Sequence, residues 1–290
     1  NSFVGINAGR SNTTGSDNSF VGRNAGYSNT NGSSNSFVGR NAGFNNTGGS
    51  GNSFIGLNAG YYSTGNANVL IGREAGYGSA TSAYSNTVAV GYQALQDLTT
   101  GVENTAVGYQ ALNLLSTNSS NTAVGFKALT NSSTGYNAAI GAYAILNNAS
   151  GERNTGVGWS ALAETTGSYN ASLGMRAGRY GNNSNTAVGY DAASTTTGSN
   201  NVAIGRSAGQ TNSTGSGNIF IGYNAGYNET GSNKLYIANS NTTTPLIYGE
   251  FDNEIVNVNG KLKPNSITVD DEGLSAAGDY GAGAEIWYQG

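Results

Sequence analysis

The chain alternates between two kinds of short segment. One or two apolar positions that end in glycine, as in Ser2-Phe3-Val4-Gly5, give way to a longer polar stretch rich in Asn, Ser, Thr and Gly, and the alternation then repeats. The unit opens N-S-F-V-G-I-N-A-G at Asn1 and returns as NSFVGRNAG at Asn18 and Asn35, NSFIGLNAG at Asn52, NTAVGYQAL at Asn104, NTAVGFKAL at Asn121 and NIFIGYNAG at Asn218. Its central glycine falls at Gly5, Gly22, Gly39, Gly56, Gly72, Gly91, Gly108, Gly125, Gly141, Gly158, Gly174, Gly189, Gly205 and Gly222, fourteen copies about 17 residues apart. Self-similarity at this period predicts stacked repeats, where length alone would suggest about two domains.

The copies serve as an internal alignment. The residue before the glycine is Val, Ile or, once, Leu (Leu173), and the residue three after it is always Ala, including Ala8, Ala25, Ala42, Ala111, Ala128 and Ala225. The residue four before it is Asn in thirteen copies, with Thr87 the exception. An aliphatic β-branched column predicts a strand whose side chain enters a narrow interior, and an all-Ala column predicts that nothing larger fits. Helix is a poor reading of a unit with two or three Gly and several Asn, Ser and Thr in each period, all weak in helix interiors. A second turn dipeptide near the end of each unit, such as Thr14-Gly15, Asn31-Gly32 or Thr134-Gly135, completes the pattern. One coil is therefore expected to be two short strands and two turns, and fourteen coils a stack of roughly 65 Å at strand spacing.

Two further columns trade volume. Phe two before the glycine goes with Gly four after it (Phe3 with Gly9, Phe20 with Gly26, Phe37 with Gly43, Phe54 with Gly60, Phe220 with Gly226). Copies six to eight reverse the sizes: Ala89 with Leu95, Ala106 with Leu112, Ala123 with Leu129. Close packing penalises both double occupancy and a void, so the two sites are expected to share one space, on the same face of an extended segment.

Composition removes whole classes of chemistry. There is no His and no Cys, only 10% of residues are charged, and the net charge is −4. The usual zinc sites, His-dependent nucleophiles and disulfide frameworks are excluded. No cationic field exists to hold a phosphate backbone, so nucleic acid is not expected as a partner. The longest mainly apolar run, Ala138 to Leu146, is far below the ~20 residues of a spanning helix. The Gly-rich segments contain no phosphate-binding P-loop, and Asp is too sparse for calcium-binding nonapeptide repeats, so no cofactor and no metal are expected. Because Asn1 lies inside a repeat, the chain reads as a processed product or an excised fragment.

One aliphatic side chain and one Ala per coil cannot offset the ordering of ~17 residues at ~1–2 kcal/mol each. More apolar burial is needed, and the Phe/Leu columns are expected to supply it by facing another subunit. The column after the glycine mixes Tyr92, Tyr109, Phe126, Trp159, Tyr190 and Tyr223 with Arg23, Arg40 and Arg73, as an exposed or interfacial site would. These aromatics are candidates for subunit-seam or glycan contacts.

NTVAVG at Asn86 to Gly91 and NNVAIG at Asn200 to Gly205 resemble the N-S-V-A-I-G unit of YadA-type trimeric autotransporter adhesin heads, and similar repeats occur in phage tail-fibre proteins. The resemblance covers residues 1 to about 232, although most copies are one residue shorter around the glycine and the period exceeds that family's usual fourteen or so. It implies an all-β, parallel left-handed β-roll packed as a homotrimer. It also implies an extracellular attachment role, in a virion tail fibre or on a bacterial cell surface, with a surface glycan or receptor as further partner. The alternatives are a monomeric β-solenoid that binds ice or glycan and a fibre-borne glycan hydrolase. Irregular Thr clusters (Thr99-Thr100, Thr195 to Thr197, Thr242 to Thr244) weigh against ice binding.

After Gly231 the pattern stops. Residues 1–233 hold nine basic and eight acidic side chains, and 234–290 hold three basic and eight acidic. Lys234-Leu-Tyr-Ile-Ala and Ile255-Val-Asn-Val-Asn read as strands punctuated by Pro245 and Pro264, the only prolines. Residues 233–263 are expected to form a connector or capping strands, and 264–290 a loop-rich β segment that begins a further domain. Asp270-Asp271-Glu272 is the densest carboxylate cluster, and a solvated acidic turn before Gly273 is favoured over a glycosidase acid pair, which needs a pocket that raises one pKa. No enzymatic activity is expected. Asn-x-Ser/Thr sequons include Asn12, Asn131, Asn148, Asn212 and Asn228.

Overall fold

The computed structural model describes residues 1–80 and 82–260. Among these there is no helix, and the chain from Asn1 to Asn259 forms one compact unit. The unit is a parallel β-solenoid of about fourteen turns. Each copy of the repeat contributes one three-residue strand ending just before the central glycine: Ser2–Val4, Ser19–Val21, Ser36–Val38, Ser53–Ile55, Val69–Ile71, Val88–Val90, Thr105–Val107, Thr122–Val124, Ala138–Ile140, Thr155–Val157, Ala171–Leu173, Thr186–Val188, Val202–Ile204 and Ile219–Ile221. Consecutive strands pair in parallel and in strict register, so Phe3 lies beside Phe20 and Val4 beside Val21.

The expected second strand of each coil is not general. Among the described residues only Asn131–Ser132 and Asn147–Asn148 pair as strands elsewhere in the coil. The remainder is turn, yet its backbone stays bonded to the next coil: Asn24 N–H donates to Ile6 O (2.8 Å), Gly9 N–H to Ala25 O (2.9 Å) and Ser11 N–H to Tyr27 O (3.1 Å). Coil-to-coil hydrogen bonds therefore run around much of the perimeter, which satisfies polar backbone that is too tightly turned for long strands.

The chain turns sharply after each strand. The central glycines take φ between 116° and 140°, and the next coil's glycine backbone packs directly on them: a Cβ on Gly125 would lie 2.5 Å from Gly141 O, and one on Gly108 2.3 Å from Gly125 O. Gly5, Gly22, Gly39 and Gly56 repeat the arrangement, with the next carbonyl at 2.5–2.6 Å. No other residue type suits both constraints, which explains the fixed column. Two residues later the backbone enters the left-handed region, where Asn7, Asn24, Asn41 and Asn58 have φ near 57°.

The interior differs from the sequence expectation in phase. Phe20, Phe37 and Phe54 are completely buried inside the coils and stack on one another at 4.7–4.8 Å, and Leu95, Leu112 and Leu129 are buried as well. The Phe/Leu columns thus fill the solenoid and do not face another subunit. The Val/Ile column, expected inside, is outside: Val4 is 58% exposed, Ile55 43%, Ile140 44% and Leu173 53%. Successive strand residues point to opposite faces, so placing the Phe column inward forces its neighbour outward. The Ala column is buried as read: Ala25, Ala42, Ala111, Ala128 and Ala225 have no exposed surface, and Ala8, in the first coil, is half-buried.

The shared space is present, reached by a turn and not along an extended segment. A Cβ on Gly26 would touch the Phe20 ring at 2.5 Å, and one on Gly43 the Phe37 ring at 2.5 Å. Between strand and partner the chain bends through the glycine turn, which brings the two sites together across the coil interior.

The Asn column supplies the polar counterpart. Each side-chain Oδ1 accepts the backbone N–H of the equivalent residue in the next coil, as in Asn18 to Asn35, Asn35 to Asn52 and Asn121 to Asn137, all 3.0 Å. In most copies its Nδ2 donates to a carbonyl of the second turn, as from Asn35 to Gly49 O (2.8 Å), from Asn154 to Gly167 O (2.9 Å) and from Asn121 to Thr134 O (3.1 Å). These amides are buried and bonded at both ends, so they tie the second turn to the strand.

Lys234–Ile237 adds to the last repeat strand in parallel, Ile247–Glu250 pairs with it antiparallel, and Ile255–Val258 pairs antiparallel with that. The middle of these three strands was not anticipated, because Pro245 and the Thr242 to Thr244 run read as loop up to its start. Residues 264–290, including Asp270-Asp271-Glu272, lie outside the described residues.

Candidate functional site

Three outward-facing features run along the solenoid. The first is the outer face of the long sheet. Beside the Val/Ile column lies the first residue of each strand: Ser2, Ser19, Ser36 and Ser53, then Val69 and Val88, then Thr105, Thr122, Ala138, Thr155, Ala171, Thr186, Val202 and Ile219. None of these positions, in either column, is charged. Fourteen aliphatic side chains in register make a continuous apolar stripe, of which Val21, Val38, Ile55, Val124, Ile140, Leu173, Ile204 and Ile221 are each at least 36% exposed. Isolated surface Val or Ile needs no explanation, but an unbroken stripe does.

The second feature is the column after the glycine. Tyr92 and Tyr109 stack at 5.2 Å, and Tyr109 and Phe126 at 5.1 Å, with interplanar angles of 16° and 10°. Arg73 lies over the outer face of this stack, 5.6 Å from the Tyr92 centroid. Tyr143 then meets both Phe126 and Trp159 edge to face. Coil spacing dictates the stacking, since in-register rings on adjacent coils lie about one strand spacing apart. Faces stacked on one another are not free to receive a sugar ring. The half-exposed rings of Tyr109 and Phe126 therefore show their edges, while Trp159, Tyr190 and Tyr223 lie outside that stack. In the last coils Arg176 donates to both oxygens of Asp191, with Nε 2.7 Å from Oδ1, and to the Tyr190 hydroxyl, and this pairing raises its pKa.

The third feature escaped the sequence reading. Five residues after the glycine, Tyr27, Phe44, Tyr61 and Tyr77 form a ladder with spacings of 4.8, 5.0 and 5.2 Å, and Arg10 covers its first ring at 5.3 Å. Recurrence of an aromatic at one offset in four successive copies was the available signal. Between this ladder and the Arg23/Arg40 column, Asn7, Asn24, Asn41 and Asn58 link side chain to side chain at 3.0–3.2 Å.

Other candidate chemistry is not assembled. Among the described residues no group of three His, Cys, Asp or Glu side chains could hold a metal, and no helix is long and apolar enough to cross a membrane. Of the sequons, Asn148 and Asn212 are fully buried and bonded within their turns, to Gly151 and Gly215 respectively, so the folded chain offers neither to a glycosyltransferase. Asn131 and Asn228 are exposed, and Asn12 is half-buried.

Compared with protein-family models, curated proteins and solved structures, the chain matches none. What the fold defines is a class, the parallel β-solenoids.

Proposed function

We propose that the protein is the structural and adhesive part of an extracellular fibre, a homotrimeric left-handed β-roll shaft or head of a phage tail fibre or a bacterial surface adhesin that mediates attachment. The observation that carries this reading is the uncharged Val/Ile stripe on the outer sheet face, uninterrupted through fourteen coils. A long regular apolar stripe is best covered by a surface with the same repeat, which another copy of the chain supplies. Burying aliphatic groups at about 25 cal/mol per Å² adds stabilisation to that of the filled interior. Three copies, each turning one sheet face to a common axis, leave the remaining coil surfaces for contact with a host. The N-S-V-A-I-G-like units support the same reading.

Sedimentation equilibrium tests it. The proposal predicts a particle of three times the 29.4 kDa chain mass, and Val124→Asp, which places a charge in the stripe, shifts the mass toward monomer. A stable monomer for the unaltered chain would overturn it.

A further inference from the structure

The last coils carry an arrangement found nowhere else along the column after the glycine. Arg206 lies between two tyrosine rings on the coils either side of it, with its guanidinium carbon 5.7 Å from the Tyr190 centroid and 5.6 Å from the Tyr223 centroid. Cation–π attraction from rings on both sides holds the guanidinium in place and leaves its N–H groups for a polar partner. Among the described residues no carboxylate pairs with Arg206. The nearby acid, Asp191, is buried and committed to Arg176 through both of its oxygens.

These residues border an open notch of about 390 Å³, a size within the ~300–1,000 Å³ of small-ligand sites. Its other walls come from Ser207, Gln210, Asn224, Tyr227 and Asn241. Among the described residues the side chains of these five make no hydrogen bond to protein, although at the position of Asn224 the earlier coils bond Asn24, Asn41 and Asn58 into a ladder. The notch therefore offers one planar cation, neutral amide and hydroxyl groups, and two half-exposed tyrosine rings, Tyr190 at 39% and Tyr223 at 47%. It is built from the turns that follow the glycine, with Asn241 from the segment after Lys234–Ile237, and not from the strand face that bears the aliphatic stripe.

We propose that this notch binds a carboxylated sugar, with the carboxylate on the N–H edge of Arg206 and the ring hydroxyls on the neighbouring amides. A monoanion matches the single uncommitted cation, and the planar fork of arginine suits a carboxylate held by two bonds. A phosphate dianion would lack a second cation, because Arg176 is paired with Asp191. The inference rests on the attachment reading, for which it names the ligand class. Uronic acids and nonulosonic acids share this chemistry and are separated by the choice of probe.

The test is calorimetric titration of the full chain with 3′-sialyllactose, trigalacturonate and lactose. The proposal expects saturable binding of at least one acidic probe, at least tenfold tighter than lactose. Arg206→Gln should lower that affinity at least tenfold with an unchanged melting temperature, and Tyr223→Ala should weaken it too. Binding of neither acidic probe, equal binding of lactose, or an unaffected Arg206→Gln variant would overturn it. Sedimentation of the same samples keeps the two readings apart: a trimer that binds no acidic sugar removes only the site, and a monomer that binds through Arg206 removes only the fibre.

Discussion

Asparagine and glycine carry most of the specificity of this fold at the scale of single residues. The buried Asn column joins each coil to the next through one acceptor and one donor, so an apolar replacement strands two backbone groups at once. Asn121→Ala is expected to lower stability by about 1–3 kcal/mol, because the Asn137 N–H loses its acceptor and the Thr134 carbonyl keeps only the Ser132 hydroxyl as donor, and chemical denaturation measures it. The fixed Asn was visible in the sequence, but its partners were not, because they lie 13 to 19 residues away and exist only once coils stack. Tyr84 gives the pH dependence. It is fully buried, its hydroxyl donates to Gly76 O, and burial pushes its ionisation well above the ordinary tyrosine range. The protonated phenol is retained in the folded chain, so this contribution is complete below about pH 10 and is lost as the pH rises beyond the unfolded value. The denaturation midpoint should therefore fall between pH 9 and pH 11, and Tyr84→Phe should fall less steeply.

At the scale of the coil, the volume trade between strand and turn was legible, and the direction of the strand was not. A column that is always aliphatic looks like core, and one that toggles between Phe and Ala looks optional. The structure reverses this because Leu95, Leu112 and Leu129 restore from the turn the volume that Ala89, Ala106 and Ala123 give up, so the interior is filled in either arrangement. A strand of three residues is also too short for alternation to reveal which face is buried. The trade makes a sharp prediction. Phe37→Ala alone should cost about 3–5 kcal/mol through the cavity it leaves. Gly43→Leu alone should also destabilise, because its Cβ would lie 2.5 Å from the Phe37 ring. Together they should recover most of the loss, since Leu112 and Leu129 already occupy the same left-handed position at φ 51° and 52°. Thermal melts of the three variants decide it. The aromatic ladder from Tyr27 to Tyr77 follows the same logic on the outside: one offset, repeated, becomes a column.

For the whole molecule, stacking converts a weak local signal into a long-range surface. No single coil could bury its apolar groups alone, but fourteen in register produce a filled interior on one side of the strands and an aliphatic stripe on the other. The sequence argument for further apolar burial assumed a thin interior; the Phe and Leu columns fill that interior within one chain, and the Val/Ile column is left outside as the surface for the proposed assembly. That assignment of inside and outside underlies both the stability of the array and its proposed assembly, and a chain without cysteine is well suited to probing it. The most direct measurement is thiol reactivity in the adjacent variants Ala123→Cys and Val124→Cys, read under native conditions and again under conditions that separate the copies without unfolding them. The account predicts that Ala123→Cys stays unreactive in both, and that Val124→Cys is protected in the assembled particle and reacts once the copies part. Rapid reaction of the native Ala123→Cys variant, or a Val124→Cys thiol buried within a single chain, would contradict it.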